Sequence, residues 1–121
     1  MTTSEIATVL AWHDALNERD FDTLLALSSD DIEVGDAKGA TQGHDALLDW
    51  AQSSDFRAEP GRMYVHDGVV VVEEAVTSSA GATTAAASFR VVHDHITSVF
   101  RHPDLATALA ATELTEKDFV G

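Results

Sequence analysis

The chain is predicted to be an α+β domain on three observations. Apart from one short strand at Ile32 to Asp36, apolar residues follow helical spacing up to Gln52, the period changes to strand-like alternation after Pro60-Gly61, and turn signals then recur about every ten residues. Helices first and a run of strands afterwards imply helices packed on one face of a curved, mostly antiparallel sheet. At 121 residues this is one domain, 1–121, able to bury its own core without staples.

From Ser4 to Glu18 the positions Ile6, Val9, Leu10, Trp12, His13 and Leu16 predict a first helix, with Ser4 as its cap. Asn17-Glu18-Arg19-Asp20 interrupts it. Phe21, Leu24, Leu25 and Leu27 predict a second, shorter helix started by Asp20 or Asp22. The stretch Ile32 to Asp36 alternates as a strand, and the small residues Ala37 to Gly43 read as a loop that serves as rim or lid. Ala46, Leu47, Leu48 and Trp50 mark a third helix over His44 to Gln52. Four strands then span Arg62 to His66, Val69 to Ser78, Ala82 to Val92 and His95 to His102, turning at Asp67-Gly68, Ala80-Gly81 and His93-Asp94. A short helical turn over Leu105 to Ala111 precedes a polar end.

With 21 acidic and 7 basic side chains the formal charge is −14, which disfavours nucleic acid and anionic membranes as partners. Zero cysteines exclude disulfides and thiol chemistry, so any catalysis uses carboxylates, histidines or hydroxyls. The N-terminal residues carry no basic cluster and the longest apolar run is Val69 to Val72, so a cytoplasmic protein is expected. Gly35 and Gly39 lack the spacing of a phosphate-cradling loop, and no nucleotide or other cofactor is expected.

Alternation puts Asp36 on the face of Ile32 and Val34, which is expected to be internal. A carboxylate there must be paired, protonated or useful. The alternative is a solvated strand-end aspartate capping the turn that follows. Glu73-Glu74 interrupts a run of valines, and a regular strand sends one of the two inward, Glu74 if it shares the face of Val72 and Val76. A β-bulge would exchange them. His44 and His13 are candidate proton shuttles, His13 equally a packed and satisfied core residue. His93-Asp94-His95 with His102 has metal-like spacing, but its place at a hairpin tip reads as a solvated turn, and no metal is expected. Ala82 to Ser88 form a slim strand. Ala85, Ala87 and Phe89 share one face, leaving room for a ligand, while Thr84, Ala86 and Ser88 share the other, where a second sheet can approach in a homodimer.

The stretch Ala15-Leu16-Asn17-Glu18-Arg19-Asp20-Phe21-Asp22, the Asp30-Asp31 pair before Val34-Gly35-Asp36, Gly43-His44-Asp45-Ala46-Leu47, and the ending Asp104-Leu105 with Leu109-Ala110-Ala111 resemble the nuclear transport factor 2-like superfamily. The resemblance is to its SnoaL-like, ketosteroid-isomerase-like branch. It implies a cystatin-like cone, three N-terminal helices on a curved sheet enclosing an apolar pocket, with dimerisation through the outer sheet face. By this resemblance Asp36 falls at the family's catalytic base, while Trp12 and Ala87 replace its two oxyanion donors. A lost donor of this kind costs about 100- to 1,000-fold in rate, so steroid isomerase activity is not expected.

The resemblance further turns Trp12, Leu16, Ile32, Val34, Trp50, Glu74, Val76, Ala87, Phe89 and Val99 toward the pocket. Arg101 comes with them, where it pairs with Asp36, Glu74 or an anionic ligand. The expected function is binding of an apolar or carbonyl-bearing small molecule, with isomerase- or cyclase-type chemistry using Asp36 as base beside His44 and Arg101. The alternative is a non-catalytic ligand-binding or dimerisation module.

Overall fold

The computed structural model describes residues 2–36, 38–53 and 55–120. Its helices are α1 (Thr2–Glu18), α2 (Phe21–Ala26), α3 (His44–Ser53) and α4 (Leu105–Thr112). Its strands are β1 (Ser28–Asp36), β2 (Gly39–Gln42), β3 (Arg57–His66), β4 (Val69–Ser78), β5 (Gly81–Val92), β6 (His95–His102) and β7 (Phe119–Val120). They form one sheet in the order β2-β1-β6-β5-β4-β3-β7, antiparallel except where β1 runs parallel to β6. An α+β cone is therefore the architecture, as expected from the order of periods.

Local chemistry accounts for most boundaries. Asp20 caps α2 by accepting from the Thr23 N–H, and Asp67-Gly68 and His93-Asp94 turn the hairpins with positive φ at all four residues. The β4–β5 turn falls on Ser79-Ala80, one residue earlier than expected, because Ser78 pairs with Gly81.

Four other expectations are corrected. Ser4 lies inside α1, and its hydroxyl donates to the Asp94 carboxylate instead of capping the helix. Residues 39–42 form an edge strand on β1, where a loop was expected; Ala37, the first residue of that expected loop, lies outside the described residues. Gly35 permits the pairing, since a Cβ there would lie 2.6 Å from the Gly39 carbonyl oxygen. Third, β3 begins at Arg57 and runs through Pro60-Gly61, where its register against β4 shifts. Pro60 is tolerated because β7 reaches only Met63 and Tyr64, leaving the first half of β3 at an edge. Fourth, the polar end continues past α4 into a 3₁₀ turn, Glu116–Asp118, and the short strand β7.

The bulge in β3 decides how β4 is read. It sets Gly61 and Arg62 against Glu73, while β4 itself stays regular and pairs residue by residue with β5 from Val69↔Arg90 to Ser78↔Gly81. Glu74 therefore keeps the face of Val70 and Val72.

The inner face of the sheet meets α1, α2 and α3 in one core that includes Val9, Trp12, Leu16, Leu24, Ile32, Leu47, Val70, Val72, Ala87, Phe89 and Val99. Trp12 and Phe89 meet edge to face at 5.4 Å, a geometry worth about 0.5–1.5 kcal/mol beyond the area buried. A second cluster lies on the outer face, where Ala108, Leu114 and part-buried Leu109 cover Tyr64, Val71 and Ala86. Ala86 is thus covered by the chain's own helix rather than left for a second sheet.

Asp104 anchors that helix. Its carboxylate accepts from the Thr107 N–H at 2.8 Å, and this bond holds the carboxyl below its ordinary value of 3.8. A depressed carboxylate contributes stability that is present above its unfolded value and lost as pH falls through the folded one. Wild type should accordingly be more stable than Asp104→Asn at pH 6, and the gap should shrink as the pH drops below 3.8. Urea unfolding of both proteins across that range checks this.

Candidate functional site

Positions 9, 12, 13 and 16 lie on one face of α1, and all four side chains are buried against the sheet. His13 is fully enclosed, and Nδ1 is 2.9 Å from the Val9 carbonyl oxygen. A carbonyl only accepts, so Nδ1 donates and carries a hydrogen. The other ring nitrogen, Nε2, is 2.6 Å from Oε2 of Glu74, whose side chain is 1% exposed. Two bare lone pairs would repel at that distance, so one proton is held between the residues in either tautomer.

Arg101 completes the group from β6. Its Nη1 is 3.2 Å from Glu74 Oε1 but off the N–H direction, so Oε1 is buried and accepts no hydrogen bond. The guanidinium lies over the Phe56 ring at 4.7 Å and its side chain is 20% exposed. Phe56 in turn packs on Trp50 at 5.9 Å, and Trp50 stacks on Trp12 at 6.1 Å. Burying an ion costs several kcal/mol, and here Glu74 recovers it from an imidazole on one oxygen and a guanidinium beside the other.

Arg101 is also a wall of two adjoining cavities. The inner one, about 190 Å³, is lined by Val34, Gly35, Asp36, Thr41, Trp50 and Arg101 among others. The outer one, about 360 Å³, is lined by Asp36, Lys38, Arg101, His102 and Pro103. Burial pushes the His102 imidazole below its ordinary value, which favours its neutral form.

The residues singled out in the sequence divide accordingly. Asp36 and Arg101 meet at the same cavities, but Asp36 is exposed and not on a buried face. The strand ends there, and its carboxylate accepts from the Lys38 N–H at 2.8 Å as a turn cap. His44 lies away from both. Its Nε2 donates to the Ser28 carbonyl at 3.0 Å, and it lines a separate groove with Leu25, Ser29, Val92 and His95.

Of the expected pocket wall, Val34 and Trp50 line the inner cavity, whereas Trp12, Leu16, Ile32, Ala87, Phe89 and Val99 are packed core and Val76 is half-buried. The Trp12 indole N–H is committed to Ser28 Oγ at 3.1 Å, and Ser28 donates onward to the Leu24 carbonyl. The deep cone is therefore filled by side chains, and the open volume sits at its β1–β2 end. Among the described residues no three His, Asp or Glu side chains converge as a metal site.

Sequence reasoning noted His13 and Glu74 separately and missed their pairing across 61 positions. The available signal was parity: Glu74 shares the face of Val70 and Val72, and His13 that of Val9 and Leu16. Replacing His13 by Leu strands the Glu74 carboxylate in the core. The expected cost is of the order of 3 kcal/mol in urea unfolding, with Glu74→Gln in the same background recovering part of it.

Among curated proteins nothing matches this chain in sequence. Solved structures do. A protein assigned as a polyketide cyclase from Sinorhizobium meliloti has 24% identity and a TM-score of 0.73, covering 79% of this chain and 94% of its own. One assigned as a ketosteroid isomerase from Kribbella flavida has 17% identity and a TM-score of 0.76, over 82% and 76%. TerC, co-crystallized with polyporic acid, has 19% identity and a TM-score of 0.72, over 92% and 97%. The SnoaL-like domain pattern itself matches residues 9–104, and the chain belongs to the SnoaL-like family of the nuclear transport factor 2-like superfamily.

Proposed function

We propose that this SnoaL-like domain binds a small, largely apolar, carbonyl-bearing molecule at the Arg101 cavities and moves a proton on it, in isomerase- or cyclase-type chemistry. One observation carries the reading. A fully buried carboxylate, Glu74, holds a proton jointly with His13 while its other oxygen, unbonded, faces Arg101, a wall of both cavities. Buried titratable clusters beside a cavity are the pattern of acid–base sites.

In this reading the ligand's carbonyl oxygen takes the guanidinium of Arg101, which leaves Oε1. Glu74 Oε1 then accepts a proton from the carbon next to the carbonyl, and the electron pair moves onto the oxygen as an enolate held by Arg101. His13 steadies Glu74 through both states by keeping its proton on the shared bond. Trp50 and Val34 support the apolar body, and Asp36 stands at the rim. The base is thus Glu74 rather than Asp36, whose carboxylate is engaged by the turn.

The test is solvent exchange. Neutral aryl ketones such as 2-tetralone, held in deuterium oxide with the protein, should lose their α-proton NMR signals faster than in buffer. Glu74→Gln should lose about 100- to 10,000-fold of that catalysis and Arg101→Gln about 100- to 1,000-fold, while Asp36→Asn keeps most of it. Loss in Asp36→Asn with retention in Glu74→Gln would move the base to the rim.

A second reading, ligand carriage without chemistry, is favoured by the packed cone and by the enclosure of Glu74 at 1% exposure. Binding of polyporic acid or tetralone with no exchange by the wild type supports that reading instead. We also propose a homodimer through the outer sheet face, at the half-buried Glu73, Ser88 and Phe100. Sedimentation should give twice the monomer mass, and Phe100→Glu should halve it.

A further inference from the structure

We infer that the ligand binds as an anion: a flat apolar body bearing a carboxylate, or an acidic enol or phenol in its ionised form, gripped by Arg101. The inference rests on the binding half of the proposed function and narrows its substrate class.

The first ground is a proton count. His13 Nδ1 carries a hydrogen because the Val9 carbonyl can only accept, and one further proton lies between Nε2 and Glu74 Oε2. Whether that proton sits on nitrogen or oxygen, the His13–Glu74 pair is neutral as a unit. Adding Arg101 leaves one positive charge on the cluster. The glutamate that looks like the arginine's counter-ion is therefore already balanced by the histidine.

The second ground is the unused fork. Among the described residues Glu74 is the one carboxylate within ion-pair range of Arg101, and the guanidinium makes no hydrogen bond to any of them. Its five donors have a fixed planar layout that matches the two oxygens of a carboxylate. With the side chain partly exposed and walling both cavities, those donors border the space a ligand would occupy. Trp50, a wall of the inner cavity, supplies a flat apolar ring beside the guanidinium, which Phe56 backs from its own side.

The rest of the rim does not cancel this charge. At the outer cavity Asp36 and Lys38 offset one another; at the inner one Asp36 is exposed, its charge screened by solvent, and its Oδ1 is turned to the Lys38 backbone N–H. The chain's charge of −14 repels anions at a distance, but charges are screened within about 8 Å at physiological salt, so the local guanidinium governs once the ligand has entered. The inner cavity, about 190 Å³, lies below the usual ~300–1,000 Å³ of ligand pockets, which limits the inserted part to one or two rings.

The experiment compares two probes of the same shape, 2-naphthoate and 2-naphthamide, by calorimetry and by NMR shifts of the Trp50 indole. Wild type should bind the carboxylate about tenfold or more tighter than the amide, the ratio expected when a charge-assisted pair of hydrogen bonds replaces neutral ones. Arg101→Gln should bring the ratio near one by weakening the carboxylate more than the amide, and Arg101→Lys, which keeps charge but not the fork, should fall between. Equal affinities in wild type, no binding of either probe, or a ratio that survives Arg101→Gln each overturn the inference. Should Arg101→Gln fail to fold, the wild-type ratio and Arg101→Lys still decide. Tetralone exchange with equal probe affinities would sink the anion preference and leave proton transfer standing; a tenfold ratio without exchange would do the reverse.

Discussion

A carboxylate sealed between an imidazole and a guanidinium is the constraint around which this end of the molecule is organised. Glu74 can be buried only because His13 meets one oxygen at 2.6 Å and Arg101 approaches the other. Each partner comes from a different element: α1 brings the histidine, β4 the glutamate and β6 the arginine. The group therefore ties the helical layer to the sheet, and its geometry depends on the correct register of both.

That register has identifiable causes. The bulge at Pro60-Gly61 is taken up by β3, so β4 remains regular and Glu74 stays on the inward face. Phe56, on the connection just before β3, lies under the guanidinium and meets Trp50 edge to face, and Trp50 stacks on Trp12 to carry the aromatic contacts into the core. The same stack keeps Arg101 at the boundary between packed interior and open cavity, where a cation is least costly and most useful.

Much of the fold was legible because its signals are local. Turn chemistry at Asp67-Gly68 and His93-Asp94, the valine-rich alternation of β4 and the helical spacing of α1 each follow from neighbouring residues. The edge strand β2 was not legible, since Gly39 to Gln42 have no strand-like pattern of their own and pair only because Gly35 lets them approach. The expected burial of Asp36 failed for a related reason: alternation ends where the strand ends, and an aspartate followed by a turn finds the Lys38 N–H before it finds a core. The true buried acid needed a partner 61 positions away, which parity on each element allows but no single segment specifies.

The shared proton is the most direct point of contact with experiment. Nitrogen-resolved NMR of the His13 ring should show a hydrogen fixed on Nδ1 and a strongly deshielded proton coupled to Nε2, the latter disappearing in Glu74→Gln. A ring with Nδ1 bare, or one that shows no deshielded proton and is unaffected by the Glu74 substitution, would contradict the account.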